Sequence, residues 1–296
     1  MSSIVKTTYL GTAGNDMLYG VQFDKFGFPY VMGTTTGSWP VINALYSANG
    51  GKQFISKLQP DLSAYVYSTV FGTNAPVPNI SPIAFLVDRC QNVYVSGWGG
   101  GISNSKQYPS AGTRGLPVTA DAIKRTTDGD DFYFFVLEKN AVSQLFGSFF
   151  GQTDGELGDH VDGGTSRFDA NGIIYQAMCA NCGGPRNLGF FPTTPGAWAR
   201  TNGSPRCNEA AVKIEMNFSG IASSVQVSID GVANDTAGCA PLIITFTDTI
   251  AKAKKYIWNF GDGSPEVTTT LATVDHLYMA SGYYNIRLVG IDSTKC

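Results

Sequence analysis

Apolar positions in the first two thirds of the chain come in short runs, not in helical stripes. Gly, Pro, Asn or Asp breaks each run within a few residues, so each predicts a short strand. One run ends in Gly: Thr8-Tyr9-Leu10-Gly11, then Thr69-Val70-Phe71-Gly72, then Ser148-Phe149-Phe150-Gly151. A second block starts at Asp24 and reaches Tyr30-Val31. It returns from Asp88 to Tyr94-Val95 and from Asp169 to Tyr175-Gln176. A third is Phe54-Ile55-Ser56-Lys57-Leu58, matched by Tyr133-Phe134-Phe135-Val136-Leu137 and Ala210-Ala211-Val212-Lys213-Ile214. A looser fourth is Trp39-Pro40, Leu116-Pro117-Val118-Thr119 and Phe191-Pro192-Thr193-Thr194.

The order of blocks is the same each time. Each unit therefore reads as four short strands, with loops of variable length between them. The aspartate of the second block opens a tight turn, where its carboxylate accepts backbone N–H groups. A Gly or Asn two or three residues on supplies the unusual φ. Ile4–Gly11 corresponds to the last strand of a unit, and Asn208–Phe218 to a third strand with no clear fourth. The first strand is thus available to complete the final unit.

On these residues the segment 4–220 resembles the SBBP family of β-propeller repeats. The third unit carries Phe191-Pro192-Thr193-Thr194-Pro195-Gly196-Ala197, while the first departs from the pattern with Trp39-Pro40-Val41-Ile42-Asn43-Ala44. The resemblance implies a domain over 1–220 built of three propeller-type, four-stranded blades. Three are too few for an ordinary ring. A partial or open propeller is expected, with further blades in a longer parent chain.

From about residue 223 the pattern changes to Ser223–Ile229, Gly238–Asp248, Tyr256–Gly263, His276-Leu277-Tyr278 and Gly282–Asp292. Trp258 and Phe260 alternate on one strand, and Tyr284, Ile286 and Leu288 share a face of the closing one. The Trp258-Asn259-Phe260-Gly261-Asp262-Gly263 run, followed by His276, Tyr278 and Tyr284, resembles a PKD domain over 223–296. That implies a seven-strand immunoglobulin-like sandwich, with His276 structural. The fold class expected for the chain is all-β.

Composition agrees. The 296 residues include 35 Gly, 14 Pro, 14 Tyr and 18 Phe, many turns and aromatics, and only 15% are charged. A net charge of −3 without a basic block argues against nucleic acid. No apolar run is long enough to span a bilayer, so no membrane insertion is expected. No export signal is visible either, and the chain is expected to be a piece of an extracellular protein.

Six cysteines, Cys90, Cys179, Cys182, Cys207, Cys239 and Cys296, are disulfide candidates, with connectivity left open. Cys239 and Cys296 flank the sandwich strands, so a bridge between them is expected. Cys179, Cys182 and Cys207, with Cys90 as a fourth, also permit zinc or redox chemistry, but disulfides fit an exported loop better. Acidic loops offer weak calcium candidates at Asp128, Asp130, Asp154, Glu156, Asp159 and Asp162. His160, beside Asp159 and Asp162, is the single candidate general base. No nucleophile elbow accompanies it, so no catalytic residue is assigned and no enzyme is expected. Trp98, in the glycine run Gly97–Gly101, is the candidate for stacking on a ligand. Trp39, Trp198, Tyr46 and Tyr108 are further loop aromatics, with Trp198 expected to pack between blades.

The function expected is a non-catalytic adhesion or interaction module of a secreted or cell-surface protein, with a protein or glycan ligand. The alternative is an accessory binding segment of a secreted polysaccharide- or protein-degrading enzyme.

Overall fold

The computed structural model describes residues 3–105, 108–153, 158–162, 166–169, 172–180, 191–204, 207–216, 218 and 223–292. The chain forms two compact units, Met1–Phe218 and Ser219–Cys296. Both are built from antiparallel strands. Helix among the described residues is limited to Gly101–Ser105 and Lys139–Ala141.

The first unit holds three sheets. Sheet one runs β1 (Asp16–Phe23), β2 (Pro29–Thr35), β3 (Gln53–Leu58) and β4 (Tyr65–Phe71), in that spatial order. Sheet two runs β5 (Ser81–Val87), β6 (Val93–Trp98), β7 (Phe132–Leu137) and β8 (Gln144–Phe150). Among the described residues sheet three has three strands, in the order β11 (Asn208–Glu215), β10 (Ile173–Ala180), β9 (Ser166–Phe168). The recurring blocks are accounted for as follows. The aspartate block is the turn between the first two strands of each sheet, and the aromatic block is the third strand. The block closed by Gly is the fourth strand of sheets one and two. The Trp39, Leu116 and Phe191 segments are not strands.

Ile4–Gly11 differs from expectation. It forms no strand, and Ile4, Val5 and Tyr9 are fully or almost fully exposed. Leu10 alone is drawn in, against the outer core of sheet one. Sheet one draws all four of its strands from residues 16–71, so this segment is left without a sheet.

The turn chemistry is specific. Asp24 Oδ1 accepts the N–H groups of Phe26 and Phe28 at 2.9 and 3.0 Å. Asp88 Oδ1 accepts Asn92 N–H at 2.8 Å and Asp169 Oδ1 accepts Ile173 N–H at 3.0 Å. The left-handed residue is the third after each aspartate: Gly27, Gln91 and Gly172, at φ 83°, 69° and 78°. In the second turn it is thus Gln91 and not Asn92 that takes the strained conformation.

The sheets stack face to face, with their first strands β1, β5 and β9 adjoining in sequence. Between sheets one and two lies a core of Tyr30, Met32, Ile55, Tyr67, Phe71, Val95, Tyr133 and Phe135. Between sheets two and three lie Tyr94, Trp98, Phe132, Phe134, Phe146, Phe150, Ile174 and Met178. Alternation along β7 feeds both cores, because odd and even positions leave opposite faces. Among the described residues the stack does not close into a ring.

The second unit has a sheet of β12 (Val225–Ile229), β13 (Val232–Ala233), β14 (Leu242–Asp248) and β17 (Thr273–Tyr278), in the order β13-β12-β14-β17. The other sheet is β16 (Val267–Thr269), β15 (Lys255–Asn259) and β18 (Arg287–Ile291). Phe246, Tyr256, Trp258, Phe260 and Tyr278 are buried between them, flanked by Tyr284, Ile286 and Leu288. Tyr278 Oη donates to the Phe260 carbonyl at 2.9 Å. The His276 ring stacks on Phe260 at 3.9 Å, and its Nε2 meets Asp262 Oδ2 at 2.8 Å.

Candidate interaction site on the third sheet

In sheets one and two the third strand is hydrogen-bonded on both sides, by β2 and β4 around β3 and by β6 and β8 around β7. In sheet three, β11 pairs with β10 on one side, and among the described residues no strand lies on the other. An open edge carries a row of backbone donors and acceptors. Beside it runs a groove of about 860 Å³, lined by all eight residues of β11 and by Phe150, Phe191, Ala197, Trp198 and Thr201. Trp198 is fully exposed, and Ala210 and Val212 of β11 pack toward the core beneath. An apolar trough beside a strand edge has the form that strand addition uses.

The open face of the same sheet repeats a buried arrangement of the first. In sheet one, Tyr30 lies opposite Lys57, and both are buried against sheet two. Lys57 Nζ donates to Asp24 Oδ2 at 2.8 Å and to Gln91 Oε1 at 3.0 Å, and lies 5.0 Å from the Tyr30 ring centroid. In sheet two the pair is Tyr94 opposite Val136. In sheet three it is Tyr175 opposite Lys213, with the ammonium 5.5 Å from the ring centroid. Tyr30 and Tyr94 are wholly buried, yet Tyr175 is 46% exposed.

The electrostatics follow this substitution. Burial alone would raise the Asp24 carboxyl, but hydrogen bonds from Lys57 and from the N–H groups of Phe28 and Phe26 outweigh it and hold it below its ordinary range. Burial dominates at Asp88 and pushes that carboxyl up, despite hydrogen bonds from Asn92 and Tyr94. The cation present at Lys57 is replaced by an aliphatic side chain at Val136.

The residues singled out from sequence are placed as follows. Trp98 is not a loop aromatic: it ends β6, is buried in the second core, and lies 5.8 Å from the His160 ring. Its glycine run is close-packed, since a Cβ at Gly99 would clash with the Asn79 carbonyl oxygen. Trp39 is likewise buried, stacked on Phe54 at 3.5 Å. Trp198, expected between blades, is the exposed one. Tyr46 packs against the first core, and Tyr108 is exposed.

The acidic candidates mostly serve their own loops. Asp128 Oδ1 accepts Asp130 N–H at 3.1 Å, Asp130 Oδ1 accepts Gly101 N–H at 2.5 Å, and Asp159 Oδ2 accepts Gln152 N–H at 2.6 Å. Asp154 and Glu156 lie outside the described residues. Among the described residues one set of three metal-ligating side chains converges, with ligand atoms within 4.8 Å of one another: His160, Asp162 and Cys179. This is a nitrogen–oxygen–sulfur set, not the oxygen cage expected for calcium. His160 does not sit as a general base beside Asp159: its Nδ1 faces the Gly158 carbonyl at 3.0 Å and its Nε2 faces Asp162 at 3.3 Å.

Cys90 is buried and Cys207 half-buried. Cys179 and Cys239 are free thiols, so Cys239 is not held in the bridge expected with Cys296. Cys239 is exposed ahead of β14. Cys179 Sγ instead donates to the carboxylates of Asp162 and Glu209. Cys182 and Cys296 lie outside the described residues.

Sequence reasoning missed Glu209, Tyr175 and Lys213 as site residues. The last two were visible in the repeat, as the counterparts of Tyr30 and Lys57.

Compared with known proteins, residues 225–296 match the family model of the PKD domain. No curated protein matches the chain. The immunoglobulin-like form of the second unit accords with that match, and PKD domains are typically extracellular interaction modules of surface or secreted proteins. No helix of the described residues is long and apolar enough to cross a membrane.

Proposed function

We propose that this chain is a non-catalytic interaction module of a secreted or cell-surface protein. Its three sheets are read as propeller-type blades of the SBBP kind. The open edge of the third takes an extended segment from a protein partner. The observation that carries this reading is the edge of β11, unpaired among the described residues, beside the groove lined by Phe191, Trp198 and Phe150. A segment adding there gains main-chain hydrogen bonds along β11, and its alternate side chains enter the groove. The fourth strands of the other sheets indicate its chemistry: a small or β-branched residue, then aromatic or aliphatic residues, then Gly. The segment Thr8-Tyr9-Leu10-Gly11 has this form and is in no strand, so another copy of such a segment is a suitable occupant. The PKD match supports an extracellular setting.

The test is a binding titration of the purified chain with a labelled peptide carrying residues 4–11. Saturable binding is expected. It should weaken in Trp198→Ala and be lost when Pro replaces Tyr9 in the peptide, because Pro removes a ladder donor. No binding, or retention of the Pro peptide with full affinity, overturns the strand-addition reading. Turnover of any member of a polysaccharide and peptide substrate panel overturns the non-catalytic one.

A further inference from the structure

We propose that His160, Asp162 and Cys179 form a zinc-binding site that clips the segment 158–162 to the third sheet, with Glu209 flanking Cys179. Two of the donors, His160 and Asp162, come from one short segment and the third, Cys179, from β10; backbone pairing gathers them. His160 and Cys179 form an isolated antiparallel bridge, with N–H to carbonyl distances of 3.1 and 2.8 Å in the two directions. Cys179 on β10 lies directly opposite Glu209 on β11. Asp162 follows His160 by two residues and turns its carboxylate back over both.

The three ligand atoms lie within 4.8 Å of one another, close to the spacing a tetrahedral ion imposes. Bonds of about 2.0–2.3 Å to nitrogen, oxygen and sulfur place neighbouring ligand atoms about 3.3–3.8 Å apart. Here His160 Nε2 lies 3.3 Å from Asp162 Oδ2, and Cys179 Sγ lies 3.1 Å from the same oxygen and 3.6 Å from Glu209 Oε1.

The histidine is prepared for the role. It is 4% exposed, and its Nδ1 faces the Gly158 carbonyl, which can only accept. Nδ1 therefore carries a proton and Nε2 is directed at the cluster. An outer hydrogen bond of this kind fixes the tautomer of metal-bound histidines.

Without metal, Asp162 Oδ2 accepts a hydrogen bond from the Cys179 thiol. On loading, the ion bonds to Nε2, Sγ and Asp162, a water takes the fourth position of the tetrahedron, and the thiol proton passes to solvent. Two positive charges arrive and one proton leaves, so the Asp162 carboxylate and the Cys179 thiolate together balance the ion. Thiolate with imidazole selects zinc over the hard cations calcium and magnesium.

The inference does not rest on the interaction reading, and its test is separate. The purified chain is stripped of metal and titrated with zinc and with cobalt, while bound metal is counted by mass spectrometry and cobalt is followed by absorption. One equivalent of tightly held zinc is expected. Cobalt should show the thiolate charge-transfer band and the strong visible bands of a tetrahedral site. Cys179→Ser should abolish the charge-transfer band. It should also lower zinc affinity by more than the roughly 10–100-fold that follows loss of an outer-shell partner. Asp162→Asn, at a half-exposed position, should weaken zinc comparably while the circular dichroism spectrum stays unchanged. It serves as the test if His160→Gln does not fold. Calcium should compete with neither metal. Absence of a stoichiometric zinc, or zinc held with unchanged affinity in both Cys179→Ser and Asp162→Asn, overturns the proposal.

Discussion

Lys57 and Asp24 form an ion pair at 2.8 Å in the interior between the first two sheets, with side chains 6% and 0% exposed. The pair bridges the turn before β2 and the strand β3, and reaches Gln91 in the turn of the next sheet. A buried charge left alone is costly, whereas a matched pair removed together is not. Lys57→Met should therefore destabilise the first unit by about 3–5 kcal/mol. Lys57→Met with Asp24→Asn should recover much of that loss. Urea unfolding of the four members of the cycle measures the coupling. Additive losses would show that the two side chains do not depend on each other.

Asp88 gives the opposite pH dependence. Its carboxyl is raised by burial, so the folded state holds the proton more tightly than the unfolded chain does. The resulting stability is fully present below the ordinary aspartate value of about 3.9 and is lost as pH rises through the raised value. Asp24 is lowered, so its contribution is present above that ordinary value and is lost as pH falls through the lowered one. In Asp88→Asn the unfolding free energy, relative to the parent chain, should rise as pH goes from strongly acid toward neutral. A pH-independent difference between the two proteins would refute the assignment.

Tyr30 and Tyr175 hold the same position in their sheets but not the same surroundings. Tyr30→Ala opens a cavity between two sheets and should cost about 3–5 kcal/mol. Tyr175→Ala removes a half-exposed ring and should cost no more than about 1 kcal/mol in the isolated chain. Equal losses by chemical denaturation would mean that the open face of sheet three is already covered.

In the second unit, Tyr278→Phe removes the bond from Oη to the Phe260 carbonyl and leaves a buried acceptor unpaired. A loss of about 1–3 kcal/mol is expected. Calorimetry should show it in the transition of this unit, with the first unit unmoved.

Much of this architecture is written locally. The turn aspartates, the aromatic third strands and the alternating Trp258 and Phe260 act through neighbours within a few residues, so their roles are legible from spacing. Trp98 and Trp198 are not legible in this way. Both sit within two residues of a glycine in loop-like sequence, and which one is buried depends on the sheet packed against it. Gln91 is similar: a residue that disfavours positive φ adopts it where its amide oxygen meets Lys57 of another sheet. The His160 cluster was hidden because strand register, not sequence distance, brings Cys179 opposite Glu209. The segment 4–11 matched the fourth-strand block, but a pattern of side chains does not say which edge a strand joins.

The second sheet is covered on both faces. Sheet one has its outer face capped by Trp39, Leu62 and Tyr65. Among the described residues, sheet three has a neighbour on one face and an unpaired strand at its edge. In a linear stack each layer's persistence is its own contribution plus that of each neighbour. Amide exchange should therefore be fastest in β11, slower in β10, and slowest in β6 and β7. The stack would unzip from the third sheet inward, and whatever lays a strand against β11 would slow that opening throughout the sheet.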